Sequence, residues 1–117
     1  MASIVELIDL VVASPQRAGA DAHALLRAGG YADDHELAQL HWVIGRAERE
    51  SGHLDRARHH LEEAMGLTGT TGDIDMLIGV HSSLAFTLAR QGDLDGAEKL
   101  LDAAEHLADP VERARSR

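Results

Sequence analysis

Histidines and carboxylates follow one another closely in one stretch of the chain, and this combination could bind a metal ion. His59 and His60 are followed by Glu62 and Glu63. On a helix, His59 and Glu63 lie four residues apart on one face, a spacing that can chelate one ion. The sequence places no third ligand beside this pair and contains no His-Glu-x-x-His pattern. We therefore interpret the pair as part of a solvated helix face and predict no metal site.

The hydroxyl and carboxylate groups do not form a recognisable catalytic arrangement. Ser82 and Ser83 have no neighbouring base and no turn that would form an oxyanion hole. The pair Asp33 and Asp34 precedes an apolar segment, where capping of a helix N-terminus explains it. The Gly/Thr segment 69–72 follows no predicted strand, so it does not indicate a nucleotide site. We predict no enzymatic activity and no cofactor.

The composition indicates a single helical domain. The 117 residues are 44% hydrophobic and only three are aromatic, so the core must consist of Leu, Ala, Ile and Val, as in packed helices. With 20 acidic and 11 basic residues the net charge is −9, which argues against nucleic-acid binding, since that requires clustered Lys and Arg. Cysteine is absent, which excludes disulfides and fits the cytoplasmic location that we predict.

The most apolar stretch, residues 4–13, is not predicted to enter a membrane. Glu6 and Asp9 interrupt it, and no Lys or Arg precedes Arg17, whereas a signal peptide begins with basic residues before an unbroken apolar run. A membrane span needs about 20 apolar residues, which no window supplies. We predict an amphipathic first helix from Ser3 to Ala13 and no membrane partner.

Capping and turn residues predict five further helices, in which apolar residues recur at helical spacing. The predicted helices run from Pro15 to Ala28, from Asp33 or Asp34 to Ser51, from Asp55 to about Leu67, from Asp73 to about Arg90, and from about Asp95 to Leu107. Gly66, Gly69 and Gly72 are expected to break the fourth helix. Residues 109–117 are interpreted as the start of a further helix or as a tail, too short to fold alone.

The sequence repeats itself with a period of 40 residues. Residues 52–57 match residues 92–97, and the match extends to both sides. Small residues recur at equivalent positions, where they would allow helices to approach closely, and equivalent glycines would make the tight turns. These residues are Gly45 and Ala85, Gly52 and Gly92, Ala57 and Ala97, and Ala64 and Ala104. The predicted unit is a helix hairpin that stacks on the next.

This pattern resembles the tetratricopeptide repeat (TPR). The family's Leu-Gly, Gly-x-Leu-x-x-Ala and Leu-x-x-Ala elements are matched by Ile44-Gly45, by 52–57 and by 61–64, and again within 84–104. The period is longer than the usual value of about 34 residues. In addition, His41 and His81 replace an aromatic residue, and we interpret both as packed in the seam between helices.

The resemblance implies an all-α, right-handed stack of three helix hairpins within a single domain, 1–117. The hairpins would span about 1–28, 33–67 and 73–107. The longer helices are similar to those of bacterial regulatory proteins, including actinobacterial proteins that carry such repeats before a caspase-like CHAT peptidase domain.

In TPR-like hairpins the first helix of each pair lines a concave groove. The residues implied for this groove are Gln39, Trp42, Val43, Arg46 and Arg49 from the third helix, and Gly79, Ser82, Ser83, Phe86 and Arg90 from the fifth. As candidate binding residues we select Gln39, Trp42, Arg46, Arg49, Ser82, Phe86 and Arg90. Aromatic residues and Arg are typical of binding hot spots, and a guanidinium can form two hydrogen bonds with one carboxylate. The alternative is that Trp42 and Phe86 pack as ordinary core.

The function predicted from these features is a non-catalytic protein-interaction or regulatory module. It would bind a protein or peptide ligand, either as a peptide or as a helical segment, and an acidic peptide or a C-terminal carboxylate with one apolar anchor would suit the arginines. The alternative is a ligand-sensing TPR-like module of a larger transcription regulator or CHAT-type protease regulator.

The last hairpin is predicted to expose apolar surface. Leu100 replaces the polar His60 of the preceding copy. Repeat arrays usually end with a polar outer face, and exposed apolar surface tends to be covered. This side is therefore expected to meet a following hairpin or a second copy of the chain, as a homo-oligomer.

Overall fold

The regular structure of this chain consists of α-helices throughout the part that the computed structural model describes, residues 3–71 and 73–109 apart from the side chain of Thr70. The six helices are α1 (Ile4–Ala13), α2 (Pro15–Ala28), α3 (Asp34–Glu50), α4 (Leu54–Thr71), α5 (Ile74–Arg90) and α6 (Leu94–Ala108). The predicted all-α class is confirmed. The predicted helix start within residues 110–117 and the predicted break at Gly72 lie outside the described residues.

Side-chain caps determine where four of these helices begin. Ser3, Asp33, Asp73 and Asp93 each accept a hydrogen bond from the backbone N–H three residues later, over 2.9 to 3.2 Å. Such caps satisfy N–H groups that have no partner within the helix. For Asp33 and Asp73 the structure thus confirms the capping role assigned from the sequence. Pro15 begins α2, where its missing N–H has no consequence.

The fourth helix is longer than predicted, because Gly66 and Gly69 do not end it. α4 continues to Thr71, and Thr68 within it is 1% exposed. The Thr68 hydroxyl donates to the carbonyl oxygen of Ala64, and the Thr71 hydroxyl donates to that of Thr68 at 3.0 Å. A glycine inside a helix costs about 1 kcal/mol relative to alanine. Packing of the last turns of α4 outweighs this cost, so the predicted end near Leu67 is wrong.

The helices pack in an order that follows the chain. Each helix contacts the next, and the first helix of each pair also contacts the first helix of the following pair, α1 with α3 and α3 with α5. Gly52 and Gly92, which the repeat aligns, both adopt left-handed backbone conformations, with φ of 82° and 90°. These glycines make equivalent turns within the second and third helix pairs, as the 40-residue register predicts.

Three buried clusters hold these helices together. The first joins α1, α2 and α3 around Leu7 and Ile44, the second joins α4, α5 and α6 around Leu61 and Leu84, and the third joins α3, α4 and α5 around Val80. The fully buried members are aliphatic residues and alanines, as the composition predicts.

Small residues lie where neighbouring helices come closest. A Cβ atom added at Gly19 of α2 would be 2.7 Å from the Cβ atom of Ala47 in α3. One added at Gly45 would be 2.6 Å from Cγ of Leu61 in α4. Real Cβ atoms do not approach other heavy atoms this closely, so these two crossings require glycine unless the helices move apart.

The last helix exposes leucines other than the one predicted. Leu100 is half-buried and packs against the second cluster, beside a notch of about 600 Å³ that Met65 and Leu88 also line. Leu94 is 68% exposed and Leu101 is 46% exposed. Leu100 therefore faces the space between α4 and α6, and the outward-facing apolar residues are Leu94 and Leu101.

Two glycine substitutions test the helix crossings. Gly66 is exposed, and a Cβ atom there would have no neighbour within 4 Å. Gly66→Ala should therefore raise the free energy of unfolding by about 0.5–1 kcal/mol through helix propensity. Gly19→Ala should lower it by about 1–3 kcal/mol, because α2 and α3 must separate. Urea unfolding measures both, and a Gly19→Ala protein as stable as Gly66→Ala would mean that α2 and α3 do not cross here.

Candidate functional site

Aromatic residues and arginines from two helices meet on one surface of the domain. Trp42, Arg46 and Arg49 lie three or four residues apart on α3, and Phe86 and Arg90 lie four apart on α5. We call these five residues the arginine–aromatic face. All five belong to the candidate binding residues predicted from the sequence.

Trp42 connects this face to the core. Its indole ring lies against Gly79 of α5, where an added Cβ atom would be 2.7 Å from Cζ2 of the ring. The indole Nε1–H donates to Oγ of Ser83 at 3.2 Å. The ring is half-buried between the second and third clusters. Trp42 therefore packs against α5 as a core residue does, and it also keeps part of its surface exposed, as a groove residue would.

Aromatic rings and a backbone carbonyl orient the three arginines. The Arg46 guanidinium carbon lies 5.5 Å from the Trp42 ring centroid, and that of Arg49 lies 5.9 Å from the Phe86 ring centroid. Arg90 Nη1 donates to the carbonyl oxygen of Arg49 at 3.0 Å, which links α5 to the end of α3. A cation over an aromatic face is attracted to it, yet it keeps its charge and its hydrogen-bond donors.

The arginines differ in how their charge is balanced. Arg49 lies 3.5 Å from a carboxylate oxygen of Glu50. Within residues 3–71 and 73–109, Arg46 and Arg90 form no ion pair with a carboxylate. Burial, and then the charge of Arg49, lower the pKa of Arg46 below its ordinary value, while Glu50 acts in the opposite direction, and an arginine stays cationic at neutral pH. Two of the three guanidinium groups can therefore accept an external anion.

Exposed apolar side chains lie beside these cations. Phe86 is 64% exposed, and Val12 at the end of α1 is 74% exposed. Val12 also lines a pocket of about 260 Å³ together with Arg46, Arg49 and Glu50. A ligand that combines a carboxylate with an apolar side chain matches this arrangement, because the guanidinium groups can bind the first and the exposed apolar groups can contact the second.

Three residues expected in the groove are buried instead. Gln39 is 9% exposed, Ser83 is 7% exposed, and Val43 is 1% exposed in the first cluster, so none of them lines an open surface. Val43 is buried because α1 packs along this side of α3, a contact that the repeat pattern does not encode. Ser82 is half-buried and its hydroxyl donates to the Ile78 carbonyl oxygen at 3.0 Å. Val12 of α1 also extends the face, a contribution that was not predicted from the sequence.

A second group of ionisable residues lies between α2, α3 and α4. The rings of His23, His41 and His59 each contact His60, with ring centroids 5.7, 5.2 and 5.3 Å away. His41 Nδ1 and His60 Nδ1 are 3.0 Å apart, so one of these atoms must carry a proton and donate it to the other. The predicted packing of His41 in a seam agrees with this contact. Within the described residues, no three His, Asp or Glu side chains are arranged to bind a metal ion.

Packing keeps these two histidines neutral. Burial, and then repulsion from His41, His23 and His59, together lower the pKa of His60 from 6.5 to about 4, although Glu48 acts in the opposite direction. Burial also lowers the pKa of His41, while Glu63 acts in the opposite direction. If both rings were fully protonated, their two Nδ1–H groups would point at each other, and positive charge would lie in a partly buried seam.

Comparisons of the chain with protein-family models, with curated proteins and with solved structures find no match. In the described ranges, none of the helices combines the length and the apolar character that crossing a membrane requires.

The histidine seam makes the stability of the protein sensitive to pH. A histidine whose pKa is lower in the folded state stabilises that state above pH 6.5, and this contribution is lost as the pH falls toward 4. The unfolding free energy should therefore drop between pH 7 and pH 4.5, and His60→Gln should remove about 1–2 kcal/mol of that drop, given the partial exposure of the ring.

Chemical denaturation at several pH values measures this difference. His106→Gln is the matched control, because His106 is exposed on α6, away from the seam. A His60→Gln protein with the same pH dependence as the His106→Gln protein would contradict the assignment.

Proposed function

We propose that this domain is a non-catalytic protein-interaction module, built from TPR-like helix hairpins, that binds a peptide or a helical segment at the arginine–aromatic face. The observation that carries the proposal is the position of Arg46 and Arg90. Both are oriented beside aromatic or backbone groups, and neither is paired with a carboxylate in the part of the chain that the structure describes.

The acidic net charge of the whole chain makes arginines without a carboxylate partner unexpected. The net charge is −9, so an unpaired arginine would ordinarily find a carboxylate of the same protein close by. Arg46 instead lies over the Trp42 ring, and Arg90 donates to the carbonyl oxygen of Arg49, so the remaining guanidinium N–H groups of both stay available. The local positive potential favours an anionic group of a partner, although the remainder of the acidic surface slows its approach.

The geometry favours a particular class of peptide. A carboxylate, either a side chain or the C-terminus of a partner, would bind between Arg46 and Arg90. An adjacent apolar side chain would contact Phe86 and Val12, the exposed apolar residues of this region. We therefore propose an acidic peptide, or one with a free C-terminal carboxylate, that carries one apolar anchor.

Features of the repeat support the TPR-like part of the proposal. The 40-residue register, the equivalent turn glycines and the order of helix contacts all agree with hairpins that stack in sequence. The face lies on α3 and α5, which are the first helices of their hairpins and would line the concave side of such a stack. The alternative of a ligand-sensing module within a larger regulator stays a prediction.

Titration with a short peptide of acidic residues ending in Leu with a free carboxylate tests the proposal. The fluorescence of Trp42, the only tryptophan, should report binding. Arg90→Ala should weaken binding by about 1–3 kcal/mol, the range for a hydrogen bond to a charged group. It should lower the melting temperature only slightly, because Arg90 is exposed and its hydrogen bond to the Arg49 carbonyl oxygen lies at the surface.

Two controls make the result specific to this face. Arg27→Ala removes an equally cationic, exposed residue from the end of α2 and should not change the affinity. The same peptide with an amidated C-terminus should bind more weakly if the terminal carboxylate is the recognised group. Equal affinities for Arg90→Ala, Arg27→Ala and the unaltered protein would overturn the proposed function.

A further inference from the structure

An uncovered apolar row runs along the outer side of α6. Leu94 and Leu101 are two helical turns apart and are 68% and 46% exposed. Ala97 and Ala104, on the adjacent part of the helix surface, are buried against the third hairpin's other helix. The row therefore begins where the contact with α5 ends, and we call Leu94 and Leu101 the α6 apolar row.

The preceding repeat contains one position of this row in a covered state. Leu101 is equivalent to Leu61 in the 40-residue register, and Leu61 is 0% exposed. Leu61 is buried because it lies against Gly45 of α3 on one side and because α5 supplies Leu84 and Leu88 to the same cluster. The protein thus contains an example of what covers this position, namely an amphipathic helix laid along the outer side of the hairpin.

The residues beside the row determine which charge a covering helix needs. On a helical projection, Glu98 and Glu105 lie directly beside the row, and Asp95 and Asp102 lie one step further out. All four are exposed, and none has an ion-pair partner within the described ranges. Lys99 is the single Lys or Arg of this helix and lies on a different side. The row is therefore apolar with an acidic border.

We propose that the α6 apolar row is a docking surface for a cationic amphipathic helix of a partner protein. The helix would place an apolar stripe on Leu94 and Leu101 and would place Lys or Arg residues beside Glu98 and Glu105. This surface is separate from the arginine–aromatic face, and the two proposals do not depend on each other.

Charge argues against one arrangement of two copies, in which the Val5 end of α1 would cover the α6 apolar row. The exposed valine at the opposite end of the molecule, Val5, is flanked by acidic Glu6 and Asp9 on the same helix. Head-to-tail association would bring these carboxylates toward the acidic border of α6, and the net charge of −9 adds a general repulsion between copies.

The test uses a synthetic helical peptide of about 18 residues, with Leu at positions i, i+3, i+4 and i+7 and Lys on both borders. Fluorescence anisotropy of the labelled peptide with the full chain should detect binding that weakens as salt is added. The double variant Leu94→Ser, Leu101→Ser should weaken binding at least tenfold. Val5→Ser, which removes an equally exposed residue from α1, should leave the affinity unchanged.

A second peptide with Glu in place of every Lys tests the charge, and it should bind at least tenfold more weakly than the Lys peptide. Three outcomes would overturn the proposal. They are absence of binding by the Lys peptide, equal affinities of the two peptides, and unchanged affinity of the double Ser variant. A fourth would point to a second copy instead, namely a dimer of the unliganded chain in sedimentation that the double Ser variant abolishes.

Discussion

Close approach of neighbouring helices at small residues is the constraint on which the arrangement of this domain depends. Gly19 brings α2 against α3, Gly45 brings α3 against α4, and Gly79 admits the Trp42 ring between α3 and α5. Gly79 matters most for function, because it determines where the indole lies. The indole then orients Arg46, so a helix crossing in the core determines the position of a charge at the surface.

The two surfaces considered for binding differ in charge because they lie on different helices of the hairpins. The last turns of α3 and α5 carry Arg49 and Arg90, where cations also interact favourably with the helix dipole. α6 carries four acidic residues beside Leu94 and Leu101. An acidic ligand and a cationic helix would therefore bind at different places, and a domain of this size could bring two partners together.

Features that depend on neighbouring residues could be predicted from the sequence, whereas contacts between residues far apart in the chain could not. Capping by Asp33 and Asp73 follows from residues three positions apart, and the repeat aligned the turn glycines correctly. The burial of Val43 depends on where α1 lies, and continuation of α4 beyond Gly66 depends on packing of its last turns. The periodicity of apolar residues identifies the apolar side of a helix, but it does not identify the neighbouring helix that covers that side.

Assignment of the arginine and tryptophan side-chain signals by NMR, followed by titration with an acidic peptide that ends in a free carboxylate, tests the central claim most directly. The account predicts that the guanidinium N–H signals of Arg46 and Arg90 and the indole N–H signal of Trp42 shift together and saturate at one peptide concentration. Signals of α6 should stay unchanged. Shifts confined to other helices, or guanidinium signals that do not respond, would contradict it.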